Sequence, residues 1–214
     1  MNRTAEKKTM SFTDFLRVRF KGLLDPIGAF LNRLGLKPNM VTVFGLIGTV
    51  VAAFLLARGQ ITWGGLLLVI MAPIDALDGT MARLRNEPTR FGGFVDSVTD
   101  RYAELFVFGG LLIHYVQQDA PVLSVLAYLA AAGSILVSYT RARAESLQYE
   151  AKIGLMTRVE RYLILIPCLI FNRADIALWI LAIATNFTAL QRIWSVRKQA
   201  YAARDVVGLK DKEE

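Results

Sequence analysis

Only one cysteine and one histidine stand among the 214 residues, and each scarcity closes off a class of protein. Cys168 has no second cysteine to pair with, so a disulfide-built secreted scaffold is excluded, and a cysteine-ligated metal site goes with it. His114 lies far along the chain from every acidic cluster and reads as an interfacial side chain, which leaves zinc without its usual ligands. No apolar h-region opens the chain. Its first 38 residues mix Lys, Arg and Asp with single apolar residues, and no signal peptide is expected. Charge is missing over long stretches, with none in the 19 residues Asn39–Ala57 or in the 21 residues Ala120–Thr140. Runs of that length cross the ~30 Å core of a bilayer at ~1.5 Å per residue. With 54% hydrophobic residues and a mean hydropathy of +0.41, the chain is too apolar for an ordinary soluble domain.

What charge there is follows a pattern. Net charge is +7, from 25 basic and 18 acidic residues. Lys and Arg number 8 before Asn39, then 1, 4, 0, 5, 1 and 6 in the successive segments between apolar blocks. That alternation is the positive-inside pattern of six spans with both termini cytoplasmic, so the basic excess is topological and no nucleic-acid partner is expected. The spans are expected at Val41–Ala57, Ile61–Leu77, Gly93–Val116, Pro121–Ser146, Arg158–Phe171 and Ile176–Val196. The turns Arg58–Gln60, Gln117–Ala120 and Asn172–Asp175 are too brief for an outer domain. Before the spans, apolar residues of Ser11–Leu34 recur at three- and four-residue steps, which predicts an amphipathic helix in the interface, stopped by Gly35. The expected fold class is therefore an all-α integral membrane protein. Residues 1–38 form a cytoplasmic N-terminus with its juxtamembrane helix, 39–197 a six-helix core, and 198–214 a polar tail.

The chemistry concentrates in Asp75–Asp100, DALDGTMARLRNEPTRFGGFVDSVTD. Asp75 and Asp78 are spaced i, i+3, and Asp96 and Asp100 i, i+4, so each pair shares a helix face. Four carboxylates facing one another in a low-dielectric site repel strongly, and hard divalent cations relieve that repulsion. All-oxygen ligation favours Mg²⁺ or Mn²⁺, and four acids suggest two ions clamping phosphoryl oxygens. Gly79 lets a ligand approach the backbone beside Asp78, Gly92 permits close helix packing, and Arg83 offers its fork of donors to a phosphate. A cation transporter would also hold intramembrane acids, but here they lie toward one side and no internal repeat is evident.

The pattern Asp75-x2-Asp78-Gly79-x2-Ala82-Arg83-x8-Gly92-x3-Asp96-x3-Asp100 resembles the motif of the CDP-alcohol phosphatidyltransferase family at all eight fixed positions. That resemblance implies displacement of CMP from a CDP-lipid, CDP-diacylglycerol or CDP-archaeol, by an alcohol. It implies Asp75, Asp78, Asp96 and Asp100 as ligands of two ions, with Asp100 also the proton acceptor. Gly79, Arg83 and Thr89 would hold the nucleotide diphosphate. Pro38-Asn39-Met40-Val41-Thr42 is similar to the family element that contacts the CDP moiety, although Asn39 after a proline is also a plain N-cap. The family further implies a homodimer.

Three basic elements bear on the acceptor: Ser138-Tyr139-Thr140-Arg141-Ala142-Arg143-Ala144-Glu145, Arg158-Val159-Glu160-Arg161, and Gln191-Arg192. Together they resemble the inositol-phosphate-using branch of the family, with Thr157 where a glutamate is common. The resemblance implies an inositol 1-phosphate acceptor held by Arg141, Arg158 and Arg192, with Ser138, Arg143 and Arg161 nearby. The alternative acceptor is glycerol 3-phosphate or another small alcohol.

Overall fold

A computed structural model describes residues 12–85, 89–151 and 153–203, with only the backbone described for residues 12–21, Leu23 and Asp75. Expectations for Asn86–Pro88, for the side chains of Phe12, Phe15, Leu16 and Leu23, and for the end of the tail fall outside it. Seven helices and no strand occur among the described residues: α1 Phe12–Arg33, α2 Pro38–Ala57, α3 Ile61–Leu84, α4 Arg90–Gln117, α5 Pro121–Ser146, α6 Arg158–Ile170 and α7 Ala174–Ala202.

The reversals between helices are short because the helix ends are built alike. At Gly35, Gly59, Asp119, Gln148 and Asn172 the backbone turns left-handed, with φ between 51° and 78°. The next amide then donates back five residues: Leu36 to Leu31, Gln60 to Leu55, Ala120 to Tyr115, Tyr149 to Ala144, and Arg173 to Cys168. This 6→1 bond satisfies a terminal carbonyl and stops the helix within one residue.

Among the described residues four helices, α2, α3, α5 and α7, are long and apolar enough to cross a membrane, so the chain is a multi-pass membrane protein. The other two expected spans depart from that description. α6 has 13 residues, roughly 20 Å at the helical rise, too short to span unaided. α4 is long, 28 residues, but carries Asp96, Asp100, Arg101 and Glu104. Asp78 sits within regular helix because α3 continues past the expected end at Leu77 to Leu84.

Close packing relies on small residues, as it must where lipid removes the hydrophobic drive between helices. A side chain at Gly110 would strike the Ala53 backbone of α2, and one at Gly65 would come within 2.7 Å of Leu169 Cβ in α6. The main core joins Leu56, Leu68, Leu111, Leu169, Leu178 and Leu181 from five helices. Large apolar side chains such as Phe54, Trp63, Phe171 and Ile183 remain exposed, as lipid-facing residues do. α1 is fastened to the end of α3. Gly28 sits against Thr80 and Leu84, Asn32 Nδ2 donates to the Met81 carbonyl at 3.2 Å, and Arg85 donates to Asn32 Oδ1 and the Leu36 carbonyl, each at 2.6 Å. Its residues Ile27, Phe30 and Leu34 stay exposed.

Candidate active site

Two polar regions meet at Asp100. The first gathers the start of α2, the end of α3 and the start of α4. α2 begins at Lys37, whose extended backbone leads into Pro38 at the first helical position; Asn39 is thus already inside the helix and is not the N-cap. One turn on, the Thr42 hydroxyl lies 3.2 Å from the Pro38 carbonyl and hydrogen-bonds the Asp78 carboxylate. Asp78 also accepts from the Gly79 amide and is only 6% exposed. α4 is capped by Thr89, whose hydroxyl accepts from the Gly92 amide at 2.9 Å. A Cβ on Gly92 would sit 3.0 Å from that hydroxyl and 3.7 Å from Asn39 Oδ1, so the glycine lets the α2 and α4 starts approach. Arg83 is exposed and donates from Nη2 to Thr80 Oγ1 at 2.8 Å, beside Gly79. Met40 is exposed, whereas Val41 is buried against Leu77 and Met81, so its side chain faces core and not cleft.

Asp78, Asp96 and Asp100 present carboxylate oxygens from α3 and α4. Among the described residues no three acids, histidines or cysteines already form a closed cage, and the fourth expected acid, Asp75, has no described side chain. The donor chemistry nevertheless fits a hard cation: carboxylate oxygens beside hydroxyls, with His114 and Cys168 toward the opposite ends of their helices.

The second region is a cavity of about 110 Å³ between α4, α5, α6 and α7. α4 supplies Asp100, Arg101 and Glu104; α5 supplies Val137, Ser138 and Arg141; Thr157, Arg158 and Arg161 come from the start of α6, and Arg192 from α7. Five arginines against two acids give it a net positive lining, suited to an anion. Each arginine is held differently. Arg158 Nη1 lies 2.5 Å from Asp100 Oδ1, with its guanidinium over the Tyr162 ring. Arg192, 2% exposed, donates from Nε to the Ile153 carbonyl at 2.9 Å and from Nη1 to the Val137 carbonyl. The loop reaches Arg192 only because Gly154, at φ 125°, carries no side chain: a Cβ there would sit 2.5 Å from Thr188 Cγ2. Arg141 is exposed and pairs with Glu145 at 2.9 Å.

Arg143 is not part of the cavity lining; its Nη1 lies 3.5 Å from Ser146 Oγ on the exposed end of α5. Arg161 lines the cavity but is committed to the protein. Its Nε and Nη2 donate to Glu104 Oε1 at 3.1 and 2.5 Å, and Nη1 donates to the Met156 carbonyl at 2.9 Å. Sequence reasoning passed over Glu104. Its signal was present, since Gly92, Asp96, Asp100 and Glu104 advance in steps of four along one face of α4.

Carboxylates of α3 and α4 beside an arginine-lined pocket, on a helical membrane chain, are the chemistry that transfer of a phosphorylated lipid group needs. The profile of the CDP-alcohol phosphatidyltransferase family matches residues 36–190, and the chain belongs to that family. It is 36% identical to the phosphatidylinositol phosphate synthase of Mycobacteroides abscessus over 190 residues, covering 85% of this chain and 86% of that protein. It is 33% identical to the archaetidylinositol phosphate synthase of Pyrococcus horikoshii over 186 residues, 86% of this chain and 96% of the other. Its fold is similar to the Mycobacterium tuberculosis phosphatidylinositol phosphate synthase with CDP-DAG bound (TM-score 0.76, 29% identity, 89% of this chain and 98% of that one). The same enzyme in complex with manganese and citrate superposes with a TM-score of 0.78 at 29% identity, over 89% of this chain and 93% of that one.

Proposed function

We propose that this enzyme transfers a phosphatidyl or archaetidyl group from CDP-diacylglycerol or CDP-archaeol to inositol 1-phosphate, releasing CMP. The observation that carries this reading is the cavity in which Ser138, Arg141, Arg158 and Arg192 surround a polar space that ends at Asp100. A phosphorylated acceptor seated on those arginines brings its hydroxyl toward the carboxylate region. The relatives named above point to the same acceptor, so glycerol 3-phosphate is not favoured.

In this reading Asn39, Met40, Val41, Thr42, Gly79, Arg83 and Thr89 flank the CDP-lipid, Val41 through its backbone alone. Asp75, Asp78, Asp96 and Asp100 hold two Mg²⁺ or Mn²⁺ ions, which when bound neutralise diphosphate oxygens and keep the carboxylates ionised. The Thr42 hydroxyl orients the Asp78 carboxylate through its hydrogen bond. Asp100 accepts the acceptor's hydroxyl proton, and Arg158, 2.5 Å from it, holds it in place. The freed oxygen bonds to the β-phosphorus as the bond from that phosphorus to the bridging oxygen breaks, and CMP leaves.

The same reading extends to topology. α4 and α6 complete six spans, with α4 placing its charges toward the cytoplasmic site and α6 crossing within the bundle. α1 lies in the cytoplasmic interface with Ile27, Phe30 and Leu34 toward lipid. Residues 39–197 are the catalytic unit, both termini are cytoplasmic, and two copies pair as a homodimer. The test is CMP release by purified protein with CDP-diacylglycerol and Mg²⁺ or Mn²⁺, offered inositol 1-phosphate, free inositol, glycerol 3-phosphate and serine in turn. Turnover with inositol 1-phosphate alone is expected; preference for glycerol 3-phosphate overturns the acceptor assignment.

A further inference from the structure

Glu104 presents a puzzle in electrostatics. It is a carboxylate, 4% exposed, lining a cavity otherwise suited to anions, where it would repel a phosphate. Neutralising Arg161 explains half of it. Both donors of that arginine land on one oxygen, Oε1, and among the described residues Oε2 receives no hydrogen bond. A buried carboxylate that leaves one oxygen at a cavity wall is an acceptor awaiting donors.

Arg141 and Arg192 offer the cavity's phosphate contacts away from Asp100, and Arg158 stands beside Asp100 at the reacting side. Glu104 stands one helical turn beyond Asp100 on α4, the same step that separates Asp96 from Asp100. Glu104 lines the same cavity as Asp100 and those arginines, so an acceptor held there lies within its reach. Hydroxyl groups of a polyol ring are donors, and a carboxylate oxygen binds them with charge-assisted hydrogen bonds. We infer that Glu104 is a specificity-determining residue whose Oε2 accepts from ring hydroxyls of the polyol phosphate, while Oε1 holds Arg161 in place. This rests on the acceptor reading above. It separates the acidic wall, which reads the polyol, from the basic wall, which reads the phosphate. A site that hydrogen-bonds a hydroxyl rejects analogues lacking it far more strongly than an apolar pocket rejects an added methylene.

The test uses the purified full chain with CDP-diacylglycerol and Mg²⁺, comparing wild type with Glu104→Gln and Glu104→Asp. The Michaelis constant for inositol 1-phosphate and the inhibition constant of inorganic phosphate as competitor are measured together. Loss of a charge-assisted bond to the polyol raises the first about 10-fold or more and moves the second by less than about twofold. Glu104→Asp retains the charge opposite Arg161 while drawing the carboxylate back from the cavity, so it gives the same split. A merely structural Glu104 would loosen Arg161 and weaken inositol 1-phosphate and inorganic phosphate in step, and that result overturns the inference, as does no change in either constant. Deoxy analogues of inositol 1-phosphate, each lacking one ring hydroxyl, provide a check on the unaltered enzyme. At least one must show a Michaelis constant raised about 10-fold, and a uniform response across the set rejects the inference. Wild-type refusal of inositol 1-phosphate would instead sink the acceptor reading itself.

Discussion

The carboxylate cleft and the arginine cavity share Asp100, yet they are stabilised in opposite ways. In the cleft the acids come from α3 and α4, and Asp78 is buried with the Thr42 hydroxyl and the Gly79 amide as hydrogen-bond partners. Both are neutral donors, and they orient the carboxylate. In the cavity, by contrast, the cations are already engaged by the protein. Arg161 is matched by Glu104, Arg158 by Asp100, and Arg192 by two backbone carbonyls. In the proposed function one region is completed by metal, and the other is assembled beforehand to receive an anion. The difference separates residues whose loss stops the reaction from residues whose loss unfolds the pocket or only weakens one substrate.

The largest effect belongs to the cleft. Asp78→Asn or Asp96→Asn should lower CMP release by about 10³-fold or more, since metal-assisted charge stabilisation is worth several kcal/mol. The variants should remain monodisperse in detergent. Chelation should silence the wild type in the same way, with Mg²⁺ or Mn²⁺ restoring only the wild type. Activity within tenfold of normal in either variant would erase the contrast between the regions.

Next comes the structural arginine of the cavity. Arg161→Ala leaves Glu104 as an uncompensated buried charge and should cost ~3–5 kcal/mol of stability. Thermal unfolding in detergent, followed by tryptophan fluorescence, checks it. An unchanged transition would move Arg161 to the substrate-facing set.

Arg158→Ala should weaken acceptor binding and, since Arg158 holds Asp100 in place, also slow turnover. Losing one charge-assisted contact costs ~1.5–3 kcal/mol, so the Michaelis constant for inositol 1-phosphate should rise roughly 10- to 150-fold. The constant for CDP-diacylglycerol should hold. A parallel rise in both constants would show that the two regions are one site. Smallest of all is the rim. Glu145→Ala breaks the exposed Arg141–Glu145 pair and should change stability by less than ~1 kcal/mol. A larger loss by the same unfolding measurement would mean that Arg141 depends on Glu145 for its position.

Much of the fold was legible because it is written locally. Apolar run length placed the helices within a few residues, and α5 falls on its expected bounds, Pro121–Ser146. The boundaries that moved did so for identifiable reasons. α3 runs on to Leu84 because helical geometry persists after hydrophobicity ends, and α2 starts at Pro38 because proline suits the first helical position. The alternation of basic residues also assigned spans to α4 and α6. Charges on α4 and the 13 residues of α6 set them apart.

By itself the sequence determined that Asp75 and Asp78, and Asp96 and Asp100, share helix faces, since i, i+3 and i, i+4 spacing does so whatever surrounds the helix. It likewise determined that the chain is helical and membrane-embedded, because bilayer thickness and backbone hydrogen bonding leave few other solutions. Which arginines line the cavity was decided only by tertiary structure. Arg141, Arg143, Arg158, Arg161 and Arg192 all look alike as basic residues near helix ends, and their separation in sequence carries no information about facing. Packing of α4, α5, α6 and α7 turned Arg143 outward, locked Arg161 onto Glu104, and brought Arg158 to Asp100. Those pairings join residues 57 or 58 positions apart, and no helical period extends across two chain reversals.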